Sequence, residues 1–373
     1  MNIWNEAIWK EINDEVRQVA ATIRVAQKVF PTVVLDNPSN IPDDRVVPTT
    51  FTIEEGLTKA LAEISAEFTL TPNQVVYEGS LHAGLKLAKL RASDLARNED
   101  LIFFRGRDAF PPPPPAPPNF PPGIRVRNLD SAGKGLLGVA TTAIPVPVLV
   151  PPQPGVLYGQ NTFAAVVRGI GVLNGKSQPG PFALIVDFRI FADAYSLLGQ
   201  SLTTAADLIT PLVTGGFFGT AALPPCTGLL VSLGGEPTTL YVGVDATTAL
   251  IGKEQEENHV FRVFERVQFD AKDPRAFVRL NFAPVILKLD PDNGPINGGT
   301  PVTIEGIGFD RSKSVKFDQT VIQPGAGADQ FQIADDAHIK LNSPRRANAG
   351  GVDVTVTSQD DVTSNAVKFT YNP

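Results

Sequence analysis

Two stretches near the start of the chain carry apolar residues at helical spacing. Trp4, Ile8, Ile12, Val16, Val19 and Ile23 share one face while Lys10, Glu11, Asp14, Glu15 and Arg17 turn elsewhere. That pattern predicts a helix over residues 1–30, stopped by Pro31. Trp4 and Trp9 are the chain's two tryptophans; with Ile8 and Ile12 they mark the start of this helix as an anchor. A second stripe, Leu81, Leu85, Ala88, Ala92 and Leu95, predicts a helix over residues 80–106. At ~1.5 Å per residue it reaches roughly 35–40 Å. By periodicity it is an ordinary core helix, but its length suits a spine that other elements cross. Between the two helices, residues 32–50 are extended and broken by Pro38, Pro42 and Pro48, and residues 51–70 alternate loosely. An arm with two free edges and little core of its own is hard to stabilise in a monomer. It is expected to lie on a neighbouring subunit, with Phe51, Phe68 and Leu70 as candidate contact residues.

Past the spine helix, the proline-rich run at 110–123 forces stiff polyproline II. A rigid surface loop is the first expectation for it and a ligand for an aromatic groove the alternative. Residues 145–155 form a second proline-rich connector. From Gln160 the texture becomes alternating helix and strand. Helices are predicted around 163–173, 188–198 and 203–213, and a buried strand at 182–187. Residues 229–233 and 240–244, separated by Gly234-Gly235-Glu236-Pro237, read as a hairpin. Residues 259–270 and 276–282 alternate strongly, with Phe261, Val263, Val267 and Phe269 on one face, and are expected to return the chain to the spine helix as two antiparallel strands. Residues 284–373 read as short strands divided by Gly, Pro, Asn and Asp turns, the pattern of a small all-β sandwich.

Composition narrows the function classes. The chain has 373 residues, of which 19% are charged, and it holds 32 glycines and 33 prolines. Such a loop-rich, charge-poor chain suits surfaces buried against something else. A net charge of −7 argues against a surface that grips nucleic acid directly, although an acidic lining that encloses DNA without binding it remains open. The one cysteine, Cys226, allows no disulfide framework. No stretch has the form of a signal peptide or a membrane span, so a cytoplasmic protein is expected. Convergent catalytic groups are scarce. His82, His259 and His338 fall in three regions, and Cys226 has no basic neighbour to activate it. Glu99-Asp100 and Glu256-Glu257 are adjacent pairs whose side chains diverge. Gly133-Lys134-Gly135 has a faint phosphate-loop look but lacks the required spacing. No catalytic, cofactor or metal site is assigned.

The order of elements nevertheless resembles a known family. The amphipathic helix, the arm ending Phe68-Thr69-Leu70, the long helix ending Asn98-Glu99-Asp100-Leu101-Ile102-Phe103-Phe104-Arg105-Gly106, the Gly133-Lys134-Gly135-Leu136-Leu137-Gly138 turn and the closing strands carry the likeness. Residues 1–283 resemble the encapsulin (linocin-type) shell proteins, which share the Hong Kong 97-type fold of tailed-phage major capsid proteins. Residues 284–373 resemble the IPT/TIG immunoglobulin-like module, through Pro291-Asp292-Asn293-Gly294-Pro295, Gly298-Gly299-Thr300-Pro301-Val302-Thr303-Ile304, Gly306-Ile307-Gly308-Phe309 and Val352-Asp353-Val354-Thr355-Val356.

The resemblance implies an α+β chain: an N-terminal helix (1–31), an extension loop (32–70), a peripheral domain with the spine helix (71–159 and 259–283), an axial domain (160–258) and an all-β sandwich (284–373). It implies a structural, non-enzymatic subunit with no cofactor, whose main partner is itself, in pentamers and possibly hexamers of a closed icosahedral shell. A fused sandwich and the proline-rich insertion depart from the encapsulin pattern and favour a tailed-phage virion. Such a shell encloses DNA, is assembled in the bacterial host cytoplasm with scaffold and portal proteins, and carries the sandwich outward, dispensable for assembly. The alternative is a cytoplasmic encapsulin compartment around a cargo enzyme, and an alternative of another class is an Ig-like adhesion protein.

Overall fold

The computed structural model describes residues 3–47, 49–109, 123–149, 155–197, 202–254 and 257–373. The expected proline-rich loop (residues 110–122) and the middle of the second connector (150–154) lie outside the described residues. Helix α1 (Glu6–Ile23) is capped by the Asn5 side chain, which accepts from the Ile8 N–H at 2.9 Å. The helix predicted over 1–30 ends early because Arg24 leaves helical backbone, and a short α2 (Ala26–Val29) follows.

The arm consists of β1 (Thr32–Val34) and a nested ladder. In that ladder β2 (Asn40–Pro42) pairs with β5 (Thr58–Ala60), and β3 (Arg45–Val47) with β4 (Thr52–Glu54). It continues into β6 (Ala62–Leu70). Two short helices, α3 (Pro72–Val76) and α4 (Glu78–Leu81), lead into α5 (Ala83–Arg105), the predicted spine at 23 residues. It starts at Ala83, not at 80. His82 takes left-handed backbone (φ 49°), and the Glu78 carboxylate accepts from the Gly84 and Leu85 N–H groups at 2.7 and 2.9 Å. That carboxylate serves the first turn's unpaired donors. Leu81 is consequently exposed, and Gly84, Ala88, Ala92 and Leu95 form the buried stripe.

The chain continues through β7 (Ile124–Arg127), α6 (Gly135–Val139), β8 (Thr142–Val146), α7 (Gln160–Gly175), β9 (Phe182–Asp187), α8 (Phe188–Ala194) and α9 (Ala205–Ile209). Then come β10 (Gly216–Thr220), β11 (Thr227–Ser232), β12 (Thr238–Lys253), β13 (His259–Ala271) and β14 (Phe277–Phe282). Helices α8 and α9 are shorter than the pattern predicted. The start of α9 is a capping box between Thr204 and Asp207.

Two compact units divide the chain: residues 1–141, 178–180 and 232–277, and residues 142–177, 181–231 and 278–373. In the first, strands run in the order β1-β12-β13-β6-β7, and α1 and α5 pack against each other and that sheet. In the second, the order β10-β9-β11-β14-β8 carries α7, α8 and α9, and residues 285–372 form a 9-stranded sheet folded on its own core.

This arrangement corrects two expectations. β11 and β12 are not a hairpin; they belong to different sheets. β11 is buried along its whole length between β9 and β14, a central position that leaves no edge for β12. Likewise β13 and β14 are not an antiparallel pair. β13 pairs with β6 and β12, whereas β14 runs parallel to β8 in the other sheet.

Candidate functional site

The sequence pattern predicts Trp4, Ile8, Trp9 and Ile12 as anchors and Phe51, Phe68 and Leu70 as contacts to a neighbouring subunit; the structure instead buries Phe68 and Leu70 in the subunit's own core, because β6 pairs with β13 there. Trp4 is 4% exposed, and its ring stacks on Phe261 at 4.8 Å while Phe68 stacks on Phe261 at 5.3 Å. Trp9 tilts against Trp4 at 5.0 Å, and the Trp4 Nε1–H donates to the Val75 carbonyl at 2.9 Å. Gly84 makes room for this: a Cβ there would come within 2.8 Å of the Trp4 ring. Ile12 and Leu70 are buried in the same unit, and Ile8 is half-buried. These six residues therefore fasten α1 and β6 to the subunit's own core. Phe51 does not join them. It is 79% exposed on the arm, with the Arg275 guanidinium 5.5 Å from its ring, and Ile53 and Leu57 beside it are exposed too. Trp4→Phe keeps the stack and removes the indole donor, so it is expected to cost about 1–3 kcal/mol in urea unfolding of the unassembled chain.

Behind α1 lies a feature that sequence reasoning missed. Arg24 is 3% exposed, and its guanidinium meets three carboxylates, Glu99 of α5, Glu265 of β13 and Asp245 of β12, the last at 2.9 Å. Gln27 donates to Glu99 at 2.6 Å, and Asp100 accepts from the Val25 and Ala26 N–H groups at 2.8 and 2.9 Å. Burial pushes the Glu99 and Glu265 carboxyls up, against the pull of Arg24, and Glu99 adds to the push on Glu265. Burial also lifts Asp100 to about 7, although its two backbone donors favour the carboxylate. For Arg24 burial opposes the charge, and Glu265, Glu99 and Asp245 outweigh it. Arg24, Glu99 and Glu265 are closed to any substrate by burial, and with the part-exposed Asp245 they act as a clamp. It fixes the turn after α1 to the spine and the sheet.

In the second unit, Phe188, Phe191, Tyr195 and Phe217 form a contiguous ring cluster with Phe188 and Tyr195 exposed. The sandwich is joined to the α/β sheet by a continuous seam. Val285 and Val362 are buried in the same cluster as Leu230, Leu280 and Phe282. Tyr158 donates its hydroxyl to the Ala283 carbonyl at 2.6 Å, Arg189 pairs with Asp336, and Asp360 receives both Arg279 and Arg311.

Among the described residues the histidines and the cysteine do not converge on one site. Cys226 is pushed up to about 12 by burial, which keeps its thiol protonated. His82 sits at the spine's start, His259 is buried on β13, and His338 contacts Asp335 in the sandwich. Among the described residues no group of three or more His, Cys, Asp and Glu could hold a metal ion, and no helix is long and apolar enough to cross a membrane.

Residues 284–371 match the family model of the IPT/TIG domain, and residues 133–268 match the model described as encapsulating protein for peroxidase. Over 121 residues the chain is 28% identical to the type 1 encapsulin shell protein EncA of Myxococcus xanthus, covering 32% of this chain and 42% of that relative. The chain thus matches less than half the length of this curated relative. Among solved structures, the virus-like particle from Pyrococcus furiosus is similar with a TM-score of 0.52 and 14% identity, over 73% of this chain and 99% of that chain. The capsid of Myoviridae phage XM1 is similar with a TM-score of 0.44 and 9% identity, over 69% of this chain and 91% of that one.

Proposed function

We propose that this chain, which carries the Hong Kong 97-like capsid fold and a C-terminal IPT/TIG domain, is a structural subunit that assembles with copies of itself into a closed shell. The arm carries the reading. Its nested ladder leaves the apolar side chains of Phe51, Ile53 and Leu57 exposed among the described residues, with only the Arg275 guanidinium near the Phe51 ring. Each would contribute roughly 1.5–3 kcal/mol on full burial. A head-to-tail contact of this kind closes into rings when the rotation is right. A shell role asks for no catalytic constellation.

For the enclosed content, the fused sandwich supports a virion around DNA. The match of residues 133–268 supports a second reading, a compartment around a protein cargo. Phe51→Asp with Ile53→Asp is expected to leave the subunit folded, because both side chains are exposed, and to abolish particles. Electron microscopy and size exclusion of the purified protein test this. Particles of unchanged size from the double variant would overturn the arm's role. Wild-type particles holding nuclease-sensitive nucleic acid favour the virion; protein density inside favours the compartment.

A further inference from the structure

At the root of the arm lies a hollow of about 410 Å³ that the shell reading leaves unused. Its lining includes four cations, Arg45, Lys59, Lys134 and Lys272, and one carboxylate, Asp43, in a chain of net charge −7. The cations come from three separate places: the arm strands β3 and β5, the turn before α6, and the segment just after β13. Asp43 pairs with Lys59 at 2.5 Å and with Arg45 at 2.7 Å. Lys134 and Lys272 make no salt bridge among the described residues. Asp270 lies within electrostatic reach of Lys59 and Lys272 without lining the hollow.

The wall is closely packed beside Lys134. A Cβ at Gly106 would lie 2.3 Å from the Gly133 carbonyl oxygen and 2.4 Å from the Gly135 nitrogen, so the end of α5 and the Gly133-Lys134-Gly135 turn interlock. A Cβ at Gly138 would lie 2.2 Å from that of Lys134, so the lysine stem rests on a bare glycine. Val46, Val139 and Phe269 add apolar surface to the lining. Hollows of this size take small ligands, and ammonium and guanidinium groups converging from several elements suit a multiply charged phosphate.

We propose that this hollow binds a small polyphosphate anion, which bridges Arg45 and Lys59 of the arm to Lys134 and Lys272 of the body. The binding is a property of one subunit and stands whether or not shells form. The test is calorimetric titration of inorganic tripolyphosphate into the purified full chain, alongside Lys134→Gln/Lys272→Gln and Arg45→Gln. Wild type is expected to bind saturably and less tightly as salt rises. The double variant is expected to lose at least roughly tenfold in affinity, about 1.4 kcal/mol, with its ligand-free melting temperature unchanged.

Absence of binding, or equal affinity in both variants, overturns the proposal. Equal affinity for citrate overturns the assignment to phosphate. Tighter binding of an oligothymidylate than of tripolyphosphate moves the source to a nucleic-acid backbone and overturns the small-anion form. Tripolyphosphate binding that appears only in Glu54→Gln/Glu55→Gln would mean that the arm carboxylates of a second copy fill the hollow, which also overturns it.

Discussion

Arg24→Met is expected to lower unfolding stability by about 3–5 kcal/mol, the usual cost of stripping one partner from a buried charge group. The loss comes mainly from what remains: Glu99 and Glu265, both fully buried, face each other without the guanidinium. They escape that repulsion only by taking up protons, so the variant is expected to suffer more at alkaline than at acidic pH. Neutralising the partners as well, with Glu99→Gln and Glu265→Gln, is expected to restore a large part of the stability. A triple variant as unstable as Arg24→Met would show that the packing of the arginine, not its charge, is what matters.

The same group sets a pH dependence for the wild type. Glu99, Asp100 and Glu265 all have folded-state values above their ordinary ones, Asp100 at about 7. An acid with a raised folded value stabilises the fold below its unfolded value and loses that contribution as pH rises through the folded one. The melting temperature of the unassembled subunit is therefore expected to fall between about pH 5 and pH 8.5. A melting temperature that rises over this interval would contradict the assignment.

This clamp was half legible in the sequence. Glu265 stands between Val263 and Val267 on the alternating face that also holds Phe261 and Phe269, a charged residue where the period of two calls for an apolar one. Glu99 falls four residues after Leu95, on the stripe of the spine helix. Both were signals of a buried partner. Nothing in the local pattern marked that partner as Arg24, because the periodicity runs the helix on to residue 30 and hides the break at Arg24 that turns its side chain inward. The spine helix, the buried strand β9 and the sandwich were readable because each satisfies its own periodicity. Assignment of strands to sheets was not. Gly234-Gly235-Glu236-Pro237 has hairpin chemistry, and the decision that β11 and β12 part company is made by burial of β11 on both faces, a property of the assembled core. The anchors behaved similarly. Trp4 reads as an anchor and Phe68 as a contact to a neighbouring subunit, and only the ring stack on Phe261 shows that both fasten the subunit to itself.

Removing residues 284–373 is expected to prevent residues 1–283 from accumulating as soluble particles, contrary to the expectation that the sandwich is dispensable. The cut takes Val285 and Val362 out of the cluster that covers Leu280 and Phe282. At roughly 1.5–3 kcal/mol for each fully buried aliphatic side chain, those two valines alone represent a large fraction of the ~5–15 kcal/mol that holds a domain together. It also strands Arg279, a largely buried cation whose partner is Asp360, and removes Asp336 from the half-exposed Arg189. The decisive comparison is between the deletion and the full-length variant Val362→Ser/Asp360→Asn, which opens the seam but keeps the sandwich. If the seam stabilises the α/β sheet, both lose solubility and particle yield, the deletion more. If the sandwich is a separable decoration, the deletion yields particles of wild-type inner diameter and the seam variant matches wild type. A module that shares buried core with the α/β sheet is expected to contribute to that sheet's stability, so any ligand it carries would be held in a fixed orientation to the sheet.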